Sequence, residues 1–316
     1  MRNRGPVALI LVAALGCASE GDKKTSAVPP EAKIGKPLPL GKIQPIDLAA
    51  DPIFLFWTNS AGTLKRANHD GTSMALLAND GGISGSLALD ELYVYWTTNG
   101  GFVRVKKTGG AIEKVAEFNA QAADIAASDG KLYFTDYDKG RVMVGTAAPD
   151  AVEAAEFVTG EKHPQAILAD KDNVYWTSND RASPSKDGAI RKASRAGGGA
   201  SSLAENQFGP TVLCMDDANV YWAMPAGAGD ALATAPKAGG EVKVLATGVG
   251  DVTSCVVDDH HVYVSDARGV KRVEKTGGKL VEFGKARKSI GTLVQDATTL
   301  YWNEYSGGQI VKLEKL

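Results

Sequence analysis

Three carboxylates and one imidazole, Asp47, Asp124, Asp251 and His163, are the side chains of this sequence best able to work together. They fall at two recurring positions, ten and thirteen residues ahead of a set of aromatic anchors. The nearer position reads Asp47, Ser86, Asp124, Ala166, Val212, Ser254, Thr292, and the farther Gln44, Ile83, Gln121, His163, Gly209, Asp251, Ser289. An incomplete ring of this kind could hold a hard cation such as Ca²⁺, which takes oxygen ligands, or serve as acid and base toward a small substrate. It would equally be the solvated mouth of a channel, where polar side chains are expected whatever the function. Asp180 and Arg181 are further candidates for ligand binding. They lie in the broadest departure from the repeat, residues 178–188, followed by an apolar, glycine-rich loop at 224–230, and long loops on a rigid scaffold are where recognition tends to sit.

Other chemistries find no residues to carry them. There is no Gly-x-Ser-x-Gly elbow, and no Ser pairs with a His and an Asp by spacing. His69, His260 and His261 fall in turns without metal-site spacing and read as surface residues. The formal charge is −2, or −4 without Arg2 and Arg4, so a nucleic-acid partner is not expected.

The elements that must position these residues are legible as a repeat. An aromatic-rich triplet occurs seven times: Leu55-Phe56-Trp57, Val94-Tyr95-Trp96, Leu132-Tyr133-Phe134, Val174-Tyr175-Trp176, Val220-Tyr221-Trp222, Val262-Tyr263-Val264 and Leu300-Tyr301-Trp302. The third residues are spaced 38 to 46 apart, the period of one propeller blade of four short strands. Six residues before each anchor stand Asp51, Asp90, Ser128, Asp170, Asp216, Asp258 and Asp296. An Asp there caps the turn between first and second strands by accepting backbone N–H groups two residues on. Basic residues of the third strands, such as Arg104, Lys106, Lys107, Lys271 and Arg272, read as a solvated outer band. Gly-Gly pairs at 109–110, 197–198, 239–240 and 277–278 then supply the positive φ of a tight hairpin.

The expected fold is therefore all-β, a seven-bladed propeller of four-stranded antiparallel blades over residues 38–316. The seventh copy ends before its fourth strand, and residues 35–40 precede the first copy where every other copy has that strand. The N-terminal segment is thus expected to complete the last blade and remove an open edge. The Tyr133-Phe134-Thr135-Asp136 run, with Tyr95-Trp96-Thr97-Thr98 and Tyr175-Trp176-Thr177-Ser178 close to it, resembles the YWTD and NHL-type propeller repeats. The resemblance spans about residues 40–316 and implies an extracytoplasmic binding or scaffold role without naming a ligand.

Ahead of the repeats, Arg2 and Arg4 precede an apolar run at 7–15 that is too short to span a bilayer, the pattern of an export signal. Ala14-Leu15-Gly16-Cys17 resembles the lipobox of bacterial lipoproteins, which implies lipidation of Cys17 and a signal peptide over 1–17. Residues 18–37 are polar, with a Pro-Pro pair, and read as a disordered tether. Cys214 and Cys255 lie in the first strands of consecutive copies. Successive strand residues face opposite sides, so the two cysteines either meet between blades or point apart, and export to an oxidising compartment favours a disulfide.

Two functional expectations result. One is a lipid-anchored binding or scaffold protein on the periplasmic or surface side of a bacterial membrane, engaging an envelope protein or small ligand. The other is a propeller enzyme, a lyase or metal-dependent hydrolase, with its site at the channel mouth.

Overall fold

A computed structural model of the chain describes residues 32–79, 83–98, 100–118, 122–146, 154–179, 186–225, 230–286 and 288–315. Seven antiparallel sheets follow one another along it, each a blade whose strands pair in chain order. Blade 1 comprises Pro45–Ala50, Phe54–Asn59, Thr63–Asn68 and Ala75–Asn79. Blade 4, the longest copy, comprises Pro164–Ala169, Asn173–Ser178, Gly188–Ser194 and Ala200–Gln207. First strands of neighbouring blades adjoin, the seventh with the first, around a closed ring that lines a central channel. One short 3₁₀ turn, Tyr305–Gly307, is the only helical element among the described residues.

Each second strand is sandwiched between two neighbouring blades, so both of its faces are buried and its residues run apolar without alternation. Leu55, Phe56 and Trp57 are all fully buried, as are the Trp anchors at 96, 176, 222 and 302. Each anchor or its neighbour packs on the adjoining blade: Trp57 lies with Tyr301 and Ile310 of blade 7, and Trp222 with Tyr175 and Ile190 of blade 4. The aromatic triplet therefore builds the contacts between blades as well as the strands.

Every blade is an antiparallel meander, which sorts its connections onto two faces. Turns joining first to second and third to fourth strands lie on one, the turn face. Loops joining second to third strands, and the links between blades, lie on the other, the mouth face.

The N-terminal segment closes the ring. Lys36–Pro37 pairs antiparallel with the last strand of blade 7, Gln309–Glu314, with Lys36 opposite Lys312. The Leu38 and Ile43 N–H groups donate to Ile310 and Gly308 carbonyls, each at 2.8 Å, and Leu38, Leu40 and Ile43 are buried between blades 7 and 1. Gly35 lies so close to the blade that a Cβ there would overlap Val311 and the Trp302 ring. Strand begins earlier than the sequence suggests. Lys33–Ile34 adds a parallel fifth strand to the outer edge of blade 6, beside Val281–Lys285, so the chain is already in the ring within the stretch 18–37 read as tether. Cys17 and the rest of 1–31 lie outside the described residues.

Cys214 and Cys255, in the first strands of blades 5 and 6, are joined by a disulfide with their Cα atoms 5.7 Å apart. Blades converge toward the axis, and this separation falls within the range that a disulfide spans.

Candidate functional site

The channel is a cavity of about 860 Å³ on the axis, lined by residues of the first strands, among them Asp47, Asp124, Thr253, Ser254 and Thr292, together with Tyr137 and Asp138. Among the described residues its lining carries three carboxylates and no Lys, Arg or His. Two of those carboxylates are the first-ranked sequence candidates, and both are tied to the blade that follows. Asp47 Oδ1 accepts the Leu48 N–H at 2.8 Å and the Thr292 hydroxyl of blade 7, while Oδ2 accepts the Leu87 N–H of blade 2 at 2.7 Å. Asp124 Oδ1 accepts the Ile125 N–H at 2.9 Å and Oδ2 the Ile167 N–H of blade 4 at 3.0 Å. Ser254 repeats the device, its hydroxyl accepting the Leu293 N–H of blade 7 at 3.1 Å. In all three the side chain ten residues before one anchor holds the N–H nine residues before the next. Asp47, Asp124 and Ser254 thus clasp neighbouring innermost strands to one another. At the junction of blades 5 and 6, where Val212 has no polar group to offer, the Cys214–Cys255 disulfide joins the same strands.

These clasps shape the electrostatics of the channel. Asp47 and Asp124 each keep a strip of surface on the cavity, but protein surrounds them on every other side and no cationic side chain among the described residues faces them. Desolvation raises the Asp124 carboxyl to about 7, opposed by the Ile167 and Ile125 N–H groups and reinforced by the charge of Asp47. Asp47 is raised for the same reason, with Thr292 and the Leu87 and Leu48 N–H groups opposing.

The other two candidates stand apart from this cavity. His163 does not line it; its ring packs on Tyr137 at 4.6 Å between centroids, and its Nδ1 is buried without a hydrogen-bond partner. Asp251 is exposed and also outside the lining. The position thirteen residues before the anchor has a backbone explanation: Gln44, His163 and Gly209 hold left-handed φ of 46°, 40° and 49° as the chain enters the next blade. The structure thus brings Asp47 and Asp124 together and does not bring His163 and Asp251 to them. The described residues contain no group of three or more His, Cys, Asp or Glu placed to hold a metal ion. Asp180 and Arg181 lie outside the described residues. At the base of their loop a second cleft of about 420 Å³ opens on the mouth face of blade 4. Its wall is the buried Glu161 carboxylate, which accepts the Trp176 indole N–H at 3.0 Å and pairs with Arg191 at 3.1 Å. Neither contact could be read from the sequence, because both depend on how the blade 3–4 link folds back.

The Asp residues six before each anchor cap turns as their position suggests. Asp216 Oδ1 accepts the Ala218 and Asn219 N–H groups at 2.9 and 2.7 Å, and the same pair of bonds recurs at Asp51, Asp90, Asp170, Asp258 and Asp296. The second oxygen has a task that spacing did not reveal. At Asp90, Asp170, Asp216 and Asp296 it accepts the Tyr hydroxyl of its own triplet. From the neighbouring blade it meets a basic side chain: Lys107 on Asp51, Lys237 on Asp170, Lys275 on Asp216, Lys315 on Asp258 and the imidazole of His69 on Asp296, at 2.5 to 3.5 Å. Arg195 does the same for Ser128 and Tyr133. Lys107 and His69 are therefore latch residues rather than solvated surface. Arg104 is buried too, stacked 3.9 Å from the Tyr93 ring centroid and paired with Glu113. Of the basic residues read as an outer band, Lys107 reaches the neighbouring blade, Arg104 is buried within its own, and Lys106 is exposed.

No family model and no curated protein matches the sequence. Solved structures do match the fold. The propeller of the nidogen/laminin complex is 19% identical over 76% of this chain and 96% of that one, with a TM-score of 0.58. BamB from Moraxella catarrhalis is 15% identical over 84% and 95%, with a TM-score of 0.57. XC5397 from Xanthomonas campestris, described as a gluconolactonase, is 13% identical over 90% and 98%, with a TM-score of 0.54. The chain is a β-propeller similar in fold to all three, at identities that speak for architecture alone.

Proposed function

We propose that this chain is a non-enzymatic binding or scaffold lipoprotein of the bacterial cell envelope, anchored through Cys17 and presenting the mouth face of its propeller to an envelope protein or small ligand. The observation that carries the reading is the commitment of Asp47 and Asp124 to backbone N–H groups of the next blade. Carboxylates that hold the ring together are poorly free to ligate or to attack, and His163 is turned to Tyr137 rather than to them. What remains is a rigid, closed ring whose copies differ mainly in their mouth-face loops. The export-type N-terminus supports an extracytoplasmic place on the periplasmic or surface side, and the acidic balance speaks against nucleic acid. Among the described residues no helix is long and apolar enough to cross a membrane, and in this reading attachment rests on the lipid.

One observation favours the second reading, an enzyme. Asp124 lines the cavity with a carboxyl raised to about 7, a value at which a group can both take and give a proton near neutral pH. A lyase or Ca²⁺-dependent hydrolase would use Asp47, Asp124 and Asp138 around the axis. Titration of the purified protein with Ca²⁺ separates the two readings: a specific ion at one hundred times its dissociation constant adds about 2.7 kcal/mol, an evident rise in Tm. The binding-scaffold reading expects no rise, and a rise abolished by Asp124→Asn would favour the enzyme.

A further inference from the structure

The turn tips of blades 1 and 2 differ from those of every other blade. At the position four residues before the anchor, within the first turn, stand Ile53 and Leu92, 62% and 63% exposed, where the other copies carry Gly130, Asp172, Ala218, His260 and Thr298. Just before the fourth strands of the same two blades stand Met74 and Ile112, 50% and 39% exposed. All four lie on the turn face. The turns that carry Ile53, Leu92 and Ile112 are knitted together: Lys107 of blade 2 pairs with Asp51 of blade 1 at 2.9 Å, its N–H donates to the Leu92 carbonyl at 2.9 Å, and its own carbonyl accepts from Arg66 of blade 1 at 2.8 Å. These three tips are therefore held side by side on the turn face, while the hairpin before Met74 leans the other way, its His69 on Asp296 of blade 7. Large apolar side chains clustered on exposed turn tips are costly in water and mark an interaction surface.

The chain's own entry into the ring says what covers the patch. Lys33–Ile34 runs parallel to Val281–Lys285, a strand that itself starts at a turn-face hairpin, so the chain enters travelling from the turn face toward the mouth face. Fifteen residues lie between Cys17 and Lys33, enough to reach roughly 50 Å when extended. An anchor at Cys17 would thus attach at the turn-face end of blade 6 and bring the turn face within reach of the bilayer. We propose that Ile53, Leu92 and Ile112 dip into the interfacial region of a lipid bilayer and hold the turn face on the membrane. This orientation rests on the lipoprotein reading, but the contact itself does not require the lipid.

The test uses the full chain carrying Cys17→Ser, which has no site for acylation, floated with phosphatidylethanolamine/phosphatidylglycerol vesicles. The expected result is flotation with the vesicles, reduced at least tenfold by Ile53→Ser with Leu92→Ser, since returning two half-buried apolar side chains to water removes well over one factor of ten. Both tips are exposed, so the double variant should keep its Tm; Ile53→Trp, offered as a second variant, should raise flotation. Failure of the Cys17→Ser chain to float, or equal flotation of the double variant, overturns the proposal. So does self-association that the double variant abolishes without any vesicle binding, which would assign the patch to a second copy. The lipoprotein reading fails separately, if the unsubstituted protein carries no acyl group by mass.

Discussion

Replacing Asp124 by Asn should change how the stability of the propeller depends on pH, in a direction that the geometry fixes. In the folded ring the carboxyl titrates near 7, against 3.8 for a free side chain, because burial disfavours its charge more than the Ile125 and Ile167 N–H groups favour it. Between those values the folded state holds a proton that the unfolded state has lost, so stability falls as pH rises from about 4 and levels off above 7. Three units at 1.36 kcal/mol each set a ceiling of about 4 kcal/mol on the loss. Asn carries no charge and should flatten this window. Its single carbonyl can serve only one of the two N–H groups well, which costs about 1 kcal/mol at every pH. The curves should therefore cross near pH 4.5: the variant less stable than the parent at about pH 4, and more stable by up to about 3 kcal/mol near pH 8. Urea denaturation followed by tryptophan fluorescence from pH 3.5 to 8.5 measures this. Parallel curves for the two proteins would refute the account of Asp124 as a buried clasp lacking a counter-charge.

Three further outcomes are expected. Deleting residues 33–41 removes the Lys36–Pro37 pairing and the Leu38 and Leu40 side chains from between blades 7 and 1, and should lower Tm by more than 10 °C in calorimetry; an unchanged Tm would contradict non-covalent closure. Reducing the Cys214–Cys255 bond, or replacing both residues by Ala, should cost about 2–4 kcal/mol, and titration of the unfolded, unreduced protein should find neither thiol free. Asp216, lowered to about 2 by Lys275, Tyr221 and two N–H groups against its own desolvation, contributes stability that is present above pH 4 and lost as pH falls toward 2. Asp216→Asn should accordingly cost at most about 2 kcal/mol between pH 6 and 8, less after solvent screening, with the difference from the parent vanishing as pH falls toward 2.

The seven blades could be read from the sequence because the aromatic triplets serve a local need, burial on both faces of the second strand, that leaves a mark at fixed spacing. The turn-capping Asp was legible for the same reason: its partners lie two and three residues away. What spacing could not carry was the second contact of each residue, made across a blade boundary some forty positions off. The clasping role of Asp47 and Asp124 could not be read because a polar residue facing a channel and a polar residue clasping the next strand have the same signature. His163 joined them by register alone, at a position that the backbone fills with Gly209 in the following copy. Lys33–Ile34 escaped notice because two residues of strand with an exposed edge have no periodicity to detect.

The claim that the mouth face is the working surface is tested most directly by photocrosslinking in cells. A photoreactive residue placed at Tyr305 or Asp138, both exposed on that face, would be compared with one at Leu76 on the outer strand of blade 1. One discrete adduct is expected from the mouth positions and none from Leu76. Adducts from Leu76 alone, or none from either mouth position, would contradict it.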